Sequence, residues 1–245
     1  MPAVSASSLV SATDWAPSER LIVALDVPDT DSAKALVETL ADTVSFYKIG
    51  LEIAMSGRYF ELMRWLLDQG KHVFADLKFY DIPATVGAAV RQLSDTGATF
   101  LTVHGERAVV EAAAENKGKH LKILAVTVLT SMSQEDLRSS GITMDVASLV
   151  VQRAQQSMAS GADGVIASGH EARTLRARLG PEPFIVTPGI RPMTAAVDDQ
   201  KRVVTPTRAF EDGASHIVVG RPIRAASSPY DAASAMQREI AAVFG

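Results

Sequence analysis

The sequence predicts one α/β domain over residues 20–245, built as a (β/α)8 TIM barrel, behind a flexible N-terminal tail over residues 1–19. A short β-branched run, an amphipathic Ala/Leu-rich stretch and a glycine recur along the chain, which is the strand and helix alternation of a parallel sheet. Eight such runs occur, the number that a closed barrel requires. No linker or shift in composition divides the 245 residues into two modules. Periodicity alone fits a doubly wound open sheet equally well, and that alternative stays open at this level.

The expected strands are Leu21–Leu25, Val44–Lys48, Val73–Lys78, Phe100–Val103, Ile123–Val128, Gly164–Ala167, Phe184–Val186 and Ile217–Val219. Gly70, Gly97, Gly161 and Gly213 follow helical stretches, where a left-handed residue ends a helix and turns the chain toward the next strand. Pro83 opens the helix expected over Ala84–Leu93, and Thr205 with Pro206 reads as an N-cap and first-turn proline for Thr207–Glu211. Between Met1 and Glu19 there is neither Lys nor Arg and no long apolar run, so neither a secretory signal nor a mitochondrial presequence is expected.

Composition narrows the function. A hydrophobic fraction of 47% against 21% charged residues is enough for a sizeable core and argues against disorder. With a formal charge of −4 there is no bulk basic field, so a small-molecule partner is expected rather than nucleic acid. Zero cysteines exclude a disulfide scaffold, a Cys-ligated metal and thiol catalysis, and fit a reducing cytoplasm. No apolar run approaches the roughly 18 residues that a membrane helix needs. His72, His104, His120, His170 and His216 lack the spacing of a helical zinc motif, although His104 at a strand end could line a cavity. Ser168-Gly169-His170 lacks the nucleophile-elbow pattern and reads as a loop between strand and helix. Neither a dinucleotide fingerprint nor a Walker loop is present, so neither metal nor organic cofactor is expected.

Charged residues gather where barrel enzymes place their chemistry, at the C-terminal ends of strands. Asp26 follows the first strand, Lys48 ends the second, Asp76 and Lys78 end the third, and Asp81 lies just beyond. The period-two alternation of a strand puts Asp76 and Lys78 on one side, and His72 and Phe74 on the same inward face would make the floor of the site partly aromatic. Asp81 also stands where an aspartate commonly caps a helix, here the one behind Pro83, so two roles are open to it. Gly220-Arg221 after the eighth strand occupies the usual phosphate position of a barrel, the glycine allowing backbone approach and the arginine offering a bidentate donor fork. The connection from Pro188 to Val203 is longer than usual, as lids often are.

The stretch Phe74-Ala75-Asp76-Leu77-Lys78-Phe79-Tyr80-Asp81-Ile82-Pro83 resembles the signature of the orotidine 5′-phosphate decarboxylase family. Leu25-Asp26, Tyr47-Lys48-Ile49-Gly50, Val126 to Ser131, Val186 to Pro192, Asp199-Gln200 and Val219-Gly220-Arg221-Pro222 follow in that family's order, so the likeness covers nearly all of residues 20–240. It implies decarboxylation of orotidine 5′-phosphate to UMP without a metal or cofactor, in a cytoplasmic homodimer. On that likeness Lys78, Asp76, Asp81 and Lys48 are the catalytic residues, with Asp81 reaching the partner subunit's site. Asp26 and Lys48 are expected at the ribose hydroxyls, Thr130 and Ser131 at the pyrimidine edge, and Arg191, Gln200, Gly220 and Arg221 around the phosphate. Thr85 joins Asp26, Asp76, Lys78 and Asp81 among the expected substrate contacts. A magnesium-dependent sugar-phosphate decarboxylase of the same barrel suprafamily, a Schiff-base aldolase using Lys78 and a non-catalytic phosphate-ligand binder are the competing readings.

Overall fold

In a computed structural model, which describes residues 12–191 and 204–245, eight strands among the described residues close into a parallel barrel. They are β1 (Leu21–Ala24), β2 (Phe46–Gly50), β3 (His72–Phe79), β4 (Phe100–His104), β5 (Lys122–Val126), β6 (Gly164–Ile166), β7 (Phe184–Thr187) and β8 (His216–Val219). Closure is direct: Leu21, Ile22 and Val23 of β1 pair in parallel with Ile217, Val218 and Val219 of β8. This excludes the open sheet. The expected glycines do end helices, with φ of 69° at Gly70, 92° at Gly97, 93° at Gly161 and 96° at Gly213. Helices Pro83–Ser94 and Pro206–Glu211 begin at the expected prolines, the second capped by the Thr205 side chain.

Both faces of each strand are buried, which is why the strands read as continuous β-branched runs rather than as alternating ones. Leu21, Val23 and Leu25 point outward into the layer between barrel and helices, whereas Ile22 and Ala24 point inward. Phe46, Phe74, Phe100, Leu124, Phe184 and Val186 fill the interior with them. Gly164 faces this interior against Phe184, where a Cβ would collide with the neighbouring backbone, so β6 requires a glycine there.

Residues 12–19, expected within a flexible tail over residues 1–19, are instead held against the barrel. Ala12 and Trp15 are 3% and 4% exposed and close the N-terminal end of the barrel. The Trp15 ring stacks on Phe46 at 5.5 Å and meets His216 edge-on at 4.8 Å. Arg20 fastens this plug by donating to the Trp15 carbonyl at 2.8 Å, to Ala12 at 3.2 Å and to Ser215 at 3.0 Å. Composition hid this, because a Ser- and Ala-rich segment carries one aromatic side chain whose burial depends on the assembled barrel. His72 belongs to this end as well, 4.9 Å from Trp15, so it is not part of the opposite floor to which Phe74 contributes. None of the described helices is long and apolar enough to cross a membrane.

Candidate active site

At the C-terminal end of the barrel, consecutive strands deliver charges of alternating sign. Lys48 is inward by the same parity as Phe46 and is buried. Its Nζ lies 2.9 Å from Asp26 Oδ1 and 3.3 Å from Asp76 Oδ2. A Cβ at Gly50 would sit 3.2 Å from that ammonium, so the glycine at the end of β2 leaves it room. Asp76 then accepts from Lys78 Nζ at 2.8 Å through its other oxygen.

Strand β3 reaches this geometry through an irregularity. Its pairing with β4 runs from Ala75↔Leu101 to Phe79↔Val103, so β3 carries extra residues against its neighbour. Lys78 takes up the excess in a left-handed conformation, φ 48°, which is uncommon for a residue with a side chain. Bulges of this kind re-aim a side chain next to a site. Thr102 of β4 secures the bulge: its Oγ1 accepts from the Lys78 N–H at 3.0 Å and donates to Asp76 Oδ1 at 2.9 Å.

Burial would push the Lys48 ammonium toward neutrality, but Asp76 and Asp26 outweigh it and hold its pKa above the ordinary lysine value. Likewise, burial would raise the Asp76 carboxyl, while Lys48, Lys78 and the hydrogen bonds from Lys78 and Thr102 bring it below the usual carboxylate range. Lys48 and Asp76 thus keep each other ionised, and their titration is coupled.

These residues border a cavity of about 360 Å³ that also meets Thr130, Arg191, Gly220 and Arg221. Its walls are mixed, with Phe74, Val126, Val128, Ile166 and Val218 opposing the charges. The Arg191 N–H bonds the Val204 carbonyl at 3.0 Å, and Ile190 bridges to Val204, which brings together the two ends of the long connection. Gln200 lies outside the described residues. Ser131 is exposed and does not line the cavity; nor do the exposed Asp81 and Thr85. Asp81 does not take the N-cap position of helix Pro83–Ser94, which belongs to Ile82; its carboxylate accepts from the Ile82 N–H at 2.6 Å. Among the described residues no ion pair joins Asp81 to the array. His104 packs obliquely against Tyr80, with ring centroids 4.9 Å apart, and does not line the cavity, and Ser168 caps the helix Gly169–Leu179.

Two residues of the site were not singled out from the sequence: Thr102, buried behind Asp76 and Lys78, and Arg224. Thr102 was legible only as an inward position two residues after Phe100. Arg224 lines the cavity one short helix beyond Gly220 and adds a further guanidinium to that wall.

A profile of the orotidine 5′-phosphate decarboxylase / HUMPS family matches residues 19–236. The chain belongs to this family. It is 55% identical over 228 residues to the orotidine 5′-phosphate decarboxylase of Methylococcus capsulatus, covering 93% of this chain and 94% of the relative. Identity to the enzyme of that name from Xanthomonas euvesicatoria is 52% over 227 residues, 92% of this chain and 93% of the relative. The crystal structure of orotidine 5′-phosphate decarboxylase from Lactobacillus acidophilus superposes with a TM-score of 0.80 at 36% identity, covering 91% of this chain and 99% of that one. The family's barrel is therefore the architecture that carries the charge array described above.

Proposed function

We propose that this chain decarboxylates orotidine 5′-phosphate to UMP, and that the continuous Asp26, Lys48, Asp76 and Lys78 array carries the chemistry. Breaking the bond from C6 to the carboxylate leaves an electron pair in an sp2 orbital orthogonal to the ring π system, so the ring offers no conjugated sink. Fixed charge must stabilise it. The Lys78 ammonium supplies that charge and then its proton, forming the C6–H bond as CO2 departs, and solvent reprotonates the amine. Asp76 pairs with the Lys78 ammonium and faces the departing carboxylate, a like-charge contact that disappears with CO2. The ion pairs of Asp76 with two lysines support this reading, because they fix the Lys78 ammonium in place before substrate arrives.

Asp26 and Lys48 then hold ribose hydroxyls, and Thr130, which lines the cavity, reads the pyrimidine edge. Gly220, Arg221, Arg191 and Gln200 bind the phosphate. The reaction belongs in the cytoplasm and uses no metal or organic cofactor. Its test is the loss of orotidine 5′-phosphate absorbance on adding protein stripped of metal with EDTA. Full turnover is expected, whereas turnover that depended on added magnesium would refute the metal-free reading, and borohydride trapping of substrate on Lys78 would favour an aldolase.

We further propose a homodimer in which Asp81 and Thr85 complete the site of the partner subunit. Both are exposed beside Tyr80 and Ile82, which are 64% and 66% exposed, so an apolar patch flanks two polar groups that miss their own cavity. Mixing inactive Asp81→Asn protein with inactive Lys78→Ala protein should restore activity, since one site of the heterodimer then has both groups. Proven subunit exchange with no recovery would rule the shared site out.

A further inference from the structure

We infer that Thr102 is a positioning residue, whose hydroxyl sets the Asp76 carboxylate and the Lys78 backbone in the geometry that decarboxylation uses. The inference rests on the reading that Asp76 and Lys78 act in the reaction. Thr102 is fully buried, and the inward positions around it are apolar: Phe100 below it on β4 and Leu124 opposite it on β5. A hydroxyl in such a wall costs free energy unless it is satisfied, and valine would fill the same volume without that cost. Its two partners are Asp76 and Lys78.

A hydroxyl has one donor and two acceptor sites, so one atom can serve both neighbours. As acceptor, Oγ1 takes the Lys78 N–H at the point where the bulge interrupts pairing between β3 and β4, and thereby steadies the left-handed backbone that carries the Lys78 side chain. As donor, it meets the same Asp76 oxygen that receives Lys78 Nζ. Lys48 faces the other oxygen at the longer distance of 3.3 Å. Thr102 and Lys78 together therefore set the rotation of the carboxylate. Without the hydroxyl, Asp76 can turn toward Lys48 and draw the Lys78 ammonium with it, away from its position over the cavity. The hydroxyl also favours the ionised carboxylate, since it donates to it.

The test compares Thr102→Val, which keeps shape and removes the hydroxyl, with Thr102→Ser, which keeps the hydroxyl. Thr102→Val should lower kcat roughly 10- to 100-fold, as loss of a hydrogen bond to a charged group does. KM should change less than about threefold, and the acid limb of the kcat profile should move to higher pH, because Asp76 then protonates more readily. Thr102→Ser should restore most of the kcat and the wild-type limb. Two results would overturn the inference: a Thr102→Val enzyme with wild-type kcat and limb, or a Thr102→Ser enzyme as impaired as Thr102→Val. Should the valine variant not fold, Thr102→Ala carries the same expectations for kcat and limb. Lys78→Ala and Asp76→Asn, assayed alongside, keep the two readings apart. If both retain activity, the array reading itself fails; if both are inactive while Thr102→Val is unimpaired, only the role of Thr102 fails.

Discussion

The two ends of this barrel bury polar groups in opposite ways. At the C-terminal end, Lys48 and Asp76 are each held by more than one partner of opposite charge, and every bond in that chain is between ions or to an ion. At the N-terminal end, the Trp15 Nε1 and both ring nitrogens of His216 are buried with no hydrogen-bond partner among the described residues. Phe46, Phe100, Phe184 and Trp15 surround His216 there. One end thus keeps charge in a poorly solvated place, where charges act strongly on a reacting group. The other keeps a titratable ring neutral and uses it as apolar filling. Chemistry should therefore fail at the first end without loss of fold, and the fold should weaken at the second without loss of chemistry.

Substituting one residue at each end would break or sharpen that contrast. Lys78→Ala should lower kcat on the order of 1,000-fold or more, since it removes both the fixed positive charge and the proton donor. Its stability should stay within about 1 kcal/mol of wild type, because Asp76 keeps Lys48 and Thr102 as partners and Lys78 is partly solvated. Trp15→Ala should do the reverse, costing about 3–5 kcal/mol of unfolding free energy through the cavity it leaves. Its kcat/KM at a temperature where it is folded should match wild type within about twofold. Urea melts and steady-state kinetics on both variants decide the matter. A Trp15→Ala enzyme that is stable but slow would show that the plug acts on the site through the barrel.

The chemistry-bearing end was more legible than the plugged end, for a physical reason. Asp26, Lys48, Asp76 and Lys78 are charges at the ends of β-branched runs, a pattern that period-two alternation and strand order turn directly into one shared cavity. Arg191 was expected only from the family likeness, whereas Gly220 and Arg221 were legible by the same logic, applied to the last strand. Thr102 was not, because a threonine in a strand ordinarily reads as β-branched filling, and its role depends on a bulge that pairing between neighbours reveals. Trp15 was missed because its burial needs strands distant in sequence. Strand boundaries slipped for a related reason: β2 runs from Phe46 to Gly50 rather than from Val44, since Val44 follows a tight turn over Ala41–Thr43 and β2 registers against β3 from Phe46↔His72 onward.

The smallest expected effect is the most specific to the plugged end. Burial, reinforced by the positive charge of Arg20 and by His72, holds the His216 pKa well below the ordinary histidine value. In the unfolded chain the same ring titrates near its free value of about 6.5. Below that pH the unfolded state therefore binds a proton that the folded state refuses, so stability rises with pH and is lost as pH falls through the unfolded value. His72 acts with the same sign, since burial lowers its pKa too, although Glu19 at 3.6 Å opposes the shift. His216 should contribute a slope of about 1.4 kcal/mol per pH unit once pH is clearly below 6.5. His216→Phe removes that proton from the balance and suits the aromatic surroundings. Relative to wild type, the variant should gain about 1 to 1.5 kcal/mol of unfolding free energy when pH is lowered from 7.5 to 5.5, as read from urea melts. Parallel pH dependences in the two proteins would mean that His216 finds a partner for its proton in the folded barrel, and the contrast between the two ends would then no longer hold at this residue.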